Sequence, residues 1–365
     1  MRSTLPALVL LASVLVACSD ESEPDAARTP SPATSPTTST APSTAPSTSA
    51  PSSPAPTPTP TPTPTADPTA ELPPVTSAVS LPAIMREPLD GRGLRIVREV
   101  PADTDGHRKF EITYRSDDLT ISGELFRPVG PGPFPAVVLN HGYIDPDVYD
   151  SGQGLAREQT WLADAGYVVL HTDYRGHAGS DDVPATQMES RLGYTRDAAN
   201  AVRVLRQQSY VDDDRIGMLG RSMGGGVTQN VLVAYPGLVD AAVIYASVSS
   251  DFVDNVEQFA AKSRPDQVRA YYERYGTPQD NPEFYAGLSA RTYFDRITEP
   301  VLSLHGSVDG TCPPRWARTT DRLMRRAGVE SKLVFYEGED HAFYDRWEDS
   351  IRRSVQFLDR ELGAA

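Results

Sequence analysis

From about residue 81 onward the sequence predicts an α/β domain: a mostly parallel sheet of about eight strands with helices on both faces. Three observations carry that expectation. Short apolar runs alternate with longer amphipathic ones throughout the stretch. The central runs are dense in β-branched residues, as strands covered on both faces are. A pentapeptide of the form Gly-x-Ser-x-Gly, Gly220-Arg221-Ser222-Met223-Gly224, joins one such run to a helical segment.

In chain order, "RKFEITYRS" and "LTISGELFRP" alternate apolar with polar and read as an opening antiparallel pair. "FPAVVLNHG" and "GYVVLHTDYRG" are the first buried strands, and between them "GLAREQTWLADAG" is a helix that Gly166 is placed to end. "RLGYTRDAANAVRVLRQQ" is a longer helix; "RIGMLG", "DAAVIYAS", "PVLSLHG" and "SKLVFYEG" supply four more strands. Helices are expected at about Pro314–Ala327 and Ala342–Leu362. Residues of about 250–295 break the alternation with two or three helices before the seventh of these strands. That insert is rich in aromatics (Phe252, Phe259, Tyr271, Tyr272, Tyr275, Phe284, Tyr285). They suit packing against the rim of the domain or a cap over a cleft, because connections at the carboxyl ends of parallel strands line ligand sites.

The front of the 365-residue chain has a different character. Residues 1–17 carry Arg2 and then a short apolar run, the layout of a secretory signal peptide. It ends in Leu15-Val16-Ala17-Cys18, which resembles a bacterial lipobox and predicts that Cys18 is lipidated and anchors the protein in the membrane. Residues 18–80 are mostly Pro, Ser, Thr and Ala, too poor in apolar groups to offset the entropy of ordering, and read as an extended tether. At ~3.1 Å per residue its reach is at most about 180 Å. The expected location is therefore the outer face of the bacterial cytoplasmic membrane, within the cell envelope.

A formal charge of −15, or −16 once the leader with its single Arg2 is removed, argues against a nucleic-acid partner. Of two cysteines one is assigned to the lipid, so Cys312 has no disulfide partner and is expected to pack as a small hydrophobe.

Three consecutive glycines at a helix start, each costing about 1 kcal/mol relative to alanine, need a reason. Gly-x-Ser-x-Gly between strand and helix is the nucleophile elbow, in which the serine is held strained at the apex of a tight turn. Gly220 and Gly224 remove collisions across that turn, and Gly225 and Gly226 let the helix approach neighbouring strands. A serine hydroxyl needs a general base, usually a histidine oriented by a carboxylate. Of six histidines only His305 and His341 follow Ser222. His341 lies in "FYEGEDHAFYDR", after the last strand, where the base belongs. His305 opens the turn "HGSVD", which delivers Asp309 from the preceding strand end. Asp251 and Asp254 follow the strand before and are rival acids in looser turns; Asp340 adjoins His341 and would point elsewhere. Amides of Met223 and Tyr143, the latter in "NHGY", are the expected oxyanion-hole donors. His141, His171, His177 and His305 lie near strand ends but show no metal-ligand spacing, so no metal and no cofactor is expected.

These residues resemble a known family, the prolyl oligopeptidase-like (peptidase S9) catalytic domain of the α/β-hydrolase superfamily. The resemblance covers roughly Arg108 to Leu362 and rests on "LTISGELFRP", "NHGY", "DYRGHAGS", "GRSMGG", "HGSVDGTCPP" and "GEDHAF". It implies an α/β-hydrolase fold with Ser222, Asp309 and His341 as nucleophile, acid and base. The sequence departs from prolyl oligopeptidases proper in showing no propeller-like repeats ahead of the domain. The expectation is a serine hydrolase cleaving small ester or peptide substrates through an acyl-enzyme. The alternatives are a carboxylesterase without peptidase activity and a non-catalytic binding module on the same scaffold.

Overall fold

The structure is a computed structural model that describes residues 71–184 and 190–363. The leader, Cys18 and the tether as far as residue 70 lie outside the described residues. The strands are β1 (Arg92–Val100), β2 (His107–Ser116), β3 (Leu119–Pro128), β4 (Phe134–Asn140), β5 (Val168–Thr172), β6 (Val211–Arg221), β7 (Ala241–Tyr245), β8 (Val301–Gly306) and β9 (Ser331–Tyr336). They form one sheet in the order β1-β2-β3-β5-β4-β6-β7-β8-β9. β1, β2, β3 and β5 pair antiparallel in succession, and every pair from β5 across to β9 is parallel.

The sheet has one strand more than the sequence pattern suggests. β1, "RGLRIVREV", is mostly exposed at the sheet edge, with Ile96 and Val97 52% and 59% exposed. With only Leu94 packed against the core, it has no alternation of the kind that betrays a half-buried strand. Against that count the helical insert precedes β8.

Alternation within the buried strands divides the core in two. Val138, Leu170, Met218 and Ile244 face one side, where they meet α1 (Leu81–Ile84), α3 (Leu192–Leu205) and α4 (Met223–Ala234). Val137, Leu139, Val169, Val243 and Leu304 face the other, against Leu162 of α2 (Ala156–Asp164) and Ile351 and Leu358 of α9 (Trp347–Glu361). Each such side chain, fully buried, stabilises the fold by about 1.5–3 kcal/mol before entropy is counted. Leu72 and Val79 pack against the first cluster, and the Ser80 hydroxyl accepts from the Ala83 amide to cap α1.

Gly166, at φ +97°, follows α2, and the Tyr167 amide reaches back to the Leu162 carbonyl at 3.1 Å, the C-terminal stop anticipated for this helix. The insert comprises α5 (Phe252–Phe259), α6 (Pro265–Tyr275), α7 (Pro282–Leu288) and a 3-10 segment (Ala290–Arg296). Its Tyr271, Phe284 and Tyr285 are buried against the first cluster, and Tyr275 stacks on Phe284 at 4.5 Å. α8 (Pro314–Arg326) lies between β8 and β9. α9 begins at Trp347 rather than Ala342, because Phe343 takes φ +55° and residues 339–346 form a loop tied down by side chains. Among the described residues no helix is long and apolar enough to cross a membrane.

The chain steps from β4 outward to β5 and then back across to β6, so β4 and β6 are adjacent, with Asn140 beside Gly220. A crevice outside strand ends at such a switch point is where open α/β sheets bind ligands.

Candidate active site

Ser222 sits where β6 turns into α4, with φ +55° and ψ −118°. That conformation costs on the order of 1–3 kcal/mol for a residue with a side chain. It is held by its own amide, which donates to the Tyr245 carbonyl at 2.9 Å, and by its carbonyl, which accepts from Gly225 at 3.0 Å and Val248 at 3.2 Å. A Cβ at Gly220 would overlap the Gly224 carbonyl, and one at Gly224 would overlap the Asn140 carbonyl at the end of β4. Side chains at Gly225 and Gly226 would run into Ser247 and Val248 beyond β7. The run of three glycines therefore lets α4 enter against two neighbouring strand ends.

The loop after β4 lies directly on this turn. A Cβ at Gly142 would stand 3.3 Å from the Ser222 Cβ, and the next residue is Tyr143, whose side chain is 55% exposed. Met223, the first residue of α4, is buried. The helix N-terminus and the loop after β4 thus flank the serine, as the paired amides of an oxyanion site require.

Asp309 and His341 are brought together. His341 Nδ1 lies 2.9 Å from Asp309 Oδ2, with the carboxylate buried and the imidazole partly exposed. The other carboxylate oxygen, Oδ1, accepts from the Thr311 amide at 2.9 Å and the Cys312 amide at 2.8 Å. His305 Nε2, which donates to the Cys312 carbonyl at 2.8 Å, is 3.3 Å from Asp309 Oδ2. Burial opposes ionisation of Asp309, but the hydrogen bonds from His305 and His341 outweigh it and hold the carboxyl well below the usual range.

The two loops are laced together besides. Val308 donates its amide to the Glu339 carbonyl at 3.1 Å, and Asp340 Oδ1 accepts from the Gly310 amide at 3.1 Å and the His341 amide at 2.7 Å. That bonding occupies Asp340. The other two rivals are also taken: Asp251 and Asp254 pair with Arg291 at 2.7 and 3.1 Å, and Asp251 caps α5.

Sequence reasoning missed three supports of the site. The Ala342 carbonyl, next to His341, accepts from Arg157 Nη2 at 2.9 Å and from Arg221 Nη1 at 3.3 Å. Arg221 is itself paired with buried Glu158, which also accepts from the Trp347 indole at 3.0 Å. Glu158 is 1% exposed on α2, a burial that its place in the sequence does not announce. Cys312 is fully buried with Val248 and Trp316, as its size suggests, and its side chain lies close to that of Ser222. Burial and then the Asp309 charge push its thiol well up, so it stays protonated beside the serine.

His141, His171 and His177 are buried among Tyr149, Tyr174 and Tyr194, with His141 centred 4.5 Å from both Tyr149 and Tyr174. Buried Asp173 nearby accepts from the Ser122, Tyr149 and Ser151 hydroxyls and the Gly152 amide at 2.6–3.1 Å. Among the described residues no three His, Cys, Asp or Glu side chains are arranged to hold a metal. A small cleft opens next to the N-terminal part of α4, lined by Arg191, Gly226, Val248, Phe252, Leu288 and others. The insert therefore both packs on the core and walls this cleft.

Sheet order, strained serine turn and helical layers define the class: an α/β-hydrolase. Residues 154–365 match the model of the prolyl oligopeptidase family, and the chain belongs to that family of serine hydrolases. It is 27% identical over 248 residues to an uncharacterized peptidase, YtmA, of Bacillus subtilis (strain 168), covering 67% of this chain and 91% of that protein. It is 28% identical over 190 residues to dipeptidyl peptidase 4 of Felis catus, covering 50% of this chain and only 23% of that much longer protein. Among solved structures, the acylaminoacyl peptidase of Pyrococcus horikoshii superposes with a TM-score of 0.58 at 20% identity, covering 71% of this chain and 42% of that one. An acetyl xylan esterase from Paenibacillus sp. R4 superposes with a TM-score of 0.59 at 20% identity, covering 76% and 92%. At these identities the two structures speak for the fold.

Proposed function

We propose that this hydrolase opens ester or peptide bonds of small substrates by a two-step acyl-enzyme route, with Ser222 as nucleophile, His341 as general base and Asp309 as its orienting acid. The observation that carries the reading is the hydrogen bond of 2.9 Å between His341 Nδ1 and a buried, fully satisfied Asp309, in loops laced beside the strained Ser222 turn. With Nδ1 donating to Asp309, Nε2 is the acceptor, the tautomer needed to take the serine proton. The Asp309 charge then stabilises the imidazolium as it forms.

Attack by the Ser222 oxygen on the substrate carbonyl places negative charge on the carbonyl oxygen. Amides of Met223 and Tyr143 receive it, and losing one such donor typically costs about 10²–10³ in rate. His341 returns its proton to the leaving group, and water, deprotonated by the same imidazole, releases the acyl chain. An amide depends on that proton more than an ester with an acidic leaving alcohol does.

A panel of nitrophenyl esters against aminoacyl and prolyl nitroanilides, with fluorophosphonate labelling of wild type and Ser222→Ala, tests this. Labelling and turnover lost together in Ser222→Ala support it, whereas undiminished turnover in that variant overturns the assignment. Turnover of esters alone would make the protein a carboxylesterase. We further propose, from "LVAC" at the end of the leader, that Cys18 carries diacylglycerol and that the Pro/Ser/Thr-rich segment tethers the hydrolase to the cell envelope.

A further inference from the structure

The cleft walled by Gly226, Val248 and the helical insert holds positive charge that the chemistry above does not use. Arg191, the residue before α3, has φ +59° and lines the cleft together with Gly226 and Val248. Both of those residues donate their amides to the Ser222 carbonyl, at 3.3 and 3.2 Å, so this wall is tied to the backbone of the serine turn. Among the described residues no carboxylate pairs with Arg191.

Its electrostatic neighbours are Tyr194, Cys312, Arg264 and Tyr143. Arg264, exposed on the insert, lies over the Tyr143 ring at 5.9 Å and makes no ion pair among the described residues. Arg264 thus stands over Tyr143, and Arg191 lies near enough to feel the charge of both. Nearby carboxylates are committed elsewhere: Asp251 and Asp254 to Arg291, and Asp309 to the histidines.

The arrangement runs against the protein's overall charge of −15, which would favour pairing every surface arginine. Burial holds the Arg191 guanidinium below its usual pKa, yet an arginine remains charged at any working pH. A partly buried cation without a counter-ion is destabilising until an anion reaches it. A guanidinium fork matches a carboxylate with two parallel hydrogen bonds.

We propose that Arg191, with Arg264 over the Tyr143 ring, forms a subsite for a substrate carboxylate lying within a residue or two of the scissile bond. This rests on the hydrolase reading above. The carboxylate could belong to an acidic side chain or to a free peptide C-terminus, and the chemistry of recognition is the same for both.

The test uses the full chain carrying Ser222→Ala, so that ligand binding is read without turnover. Three tripeptides are compared by calorimetry: one with Glu and a C-terminal carboxamide, one with Gln and a C-terminal carboxamide, and one with Gln and a free C-terminus. A carboxylate ligand is expected to bind about 10- to 100-fold more tightly than the uncharged one. Which carboxylate gains the affinity identifies its source. Adding Arg191→Met should bring the ratio close to one, and Arg191→Lys should restore part of it, with folding of each variant checked by its thermal midpoint. The same ratio in kcat/KM, taken on wild type with matched nitroanilides, should fall in Arg191→Met. A ratio near one with Arg191 intact, or an undiminished ratio in folded Arg191→Met, overturns the subsite. If neither variant folds, the ratio with Arg191 intact still decides. Failure of fluorophosphonate to label Ser222 would overturn the hydrolase reading and leave the binding result standing.

Discussion

Lowering the pH should destabilise the domain through the histidines beneath the loop after β4, before its carboxylates are titrated. His141, His171 and His177 are almost wholly buried. Burial pushes His141 down to about 4, against the opposing effect of the Gly142 carbonyl that faces its Nδ1 at 2.7 Å. His171 is held well below its ordinary value and His177 is lowered, in both cases by burial first. An unfolded imidazole titrates near about 6.5, so between about pH 6.5 and pH 4 the unfolded chain binds protons that the folded chain refuses. Stability must rise with pH across that window and fall as the pH drops. Taking about 6.5 unfolded and about 4 folded, His141 alone contributes about 2 kcal/mol between pH 7 and pH 5, and about 3 kcal/mol once both states are protonated. That is a large share of a net stability of roughly 5–15 kcal/mol. Glu124, Asp240 and Glu299, whose carboxyls burial raises, act with the opposite sign and offset part of the slope. The assay is urea unfolding of the full chain at pH 7 and pH 5, for wild type and His141→Gln. The difference between the two pH values should be smaller by about 2 kcal/mol in the variant; an unchanged difference would refute the reasoning.

Three further outcomes are expected. Asp309→Asn should leave the fold intact and lower kcat by about 10⁴ by analogy with other triads, while Asp251→Asn, which loosens only the Arg291 pair, should do far less; the reverse order in a nitrophenyl ester assay would move the acid to the end of β7. Gly224→Ala drives a Cβ into the Asn140 carbonyl and should destabilise by about 1–3 kcal/mol or more, whereas Gly310→Ala, with open space around it, should shift the thermal midpoint little. Cys18→Ser should release active hydrolase into the medium or leave an unprocessed precursor, and finding the wild-type protein secreted without lipid would contradict the anchor.

What the sequence by itself determined was local. Parallel strands with both faces covered are nearly continuous apolar runs, so "FPAVVLN" and "AAVIY" could be placed, as could the glycine-flanked serine turn and the Gly166 stop. β1 escaped because an edge strand open to solvent has no pattern to read, and the start of α9 was misjudged because the Phe343 turn depends on contacts made elsewhere. Candidate site residues could be named from the turns that carry them, since tight turns at strand ends have their own composition. Which of several carboxylates meets His341 was decided by strand order: β8 beside β9 sets the "HGSVD" turn against the histidine loop, while α5 and Arg291 take Asp251 and Asp254. The hydrogen bonds of Arg157 and Arg221 to Ala342, the contact of Cys312 with Ser222, and the unpaired charge of Arg191 join residues from 90 to 185 positions apart or depend on a partner being absent. No periodicity records such pairings, because they arise only when the sheet brings distant strand ends to one edge and burial removes the water that would otherwise have solvated each group by itself.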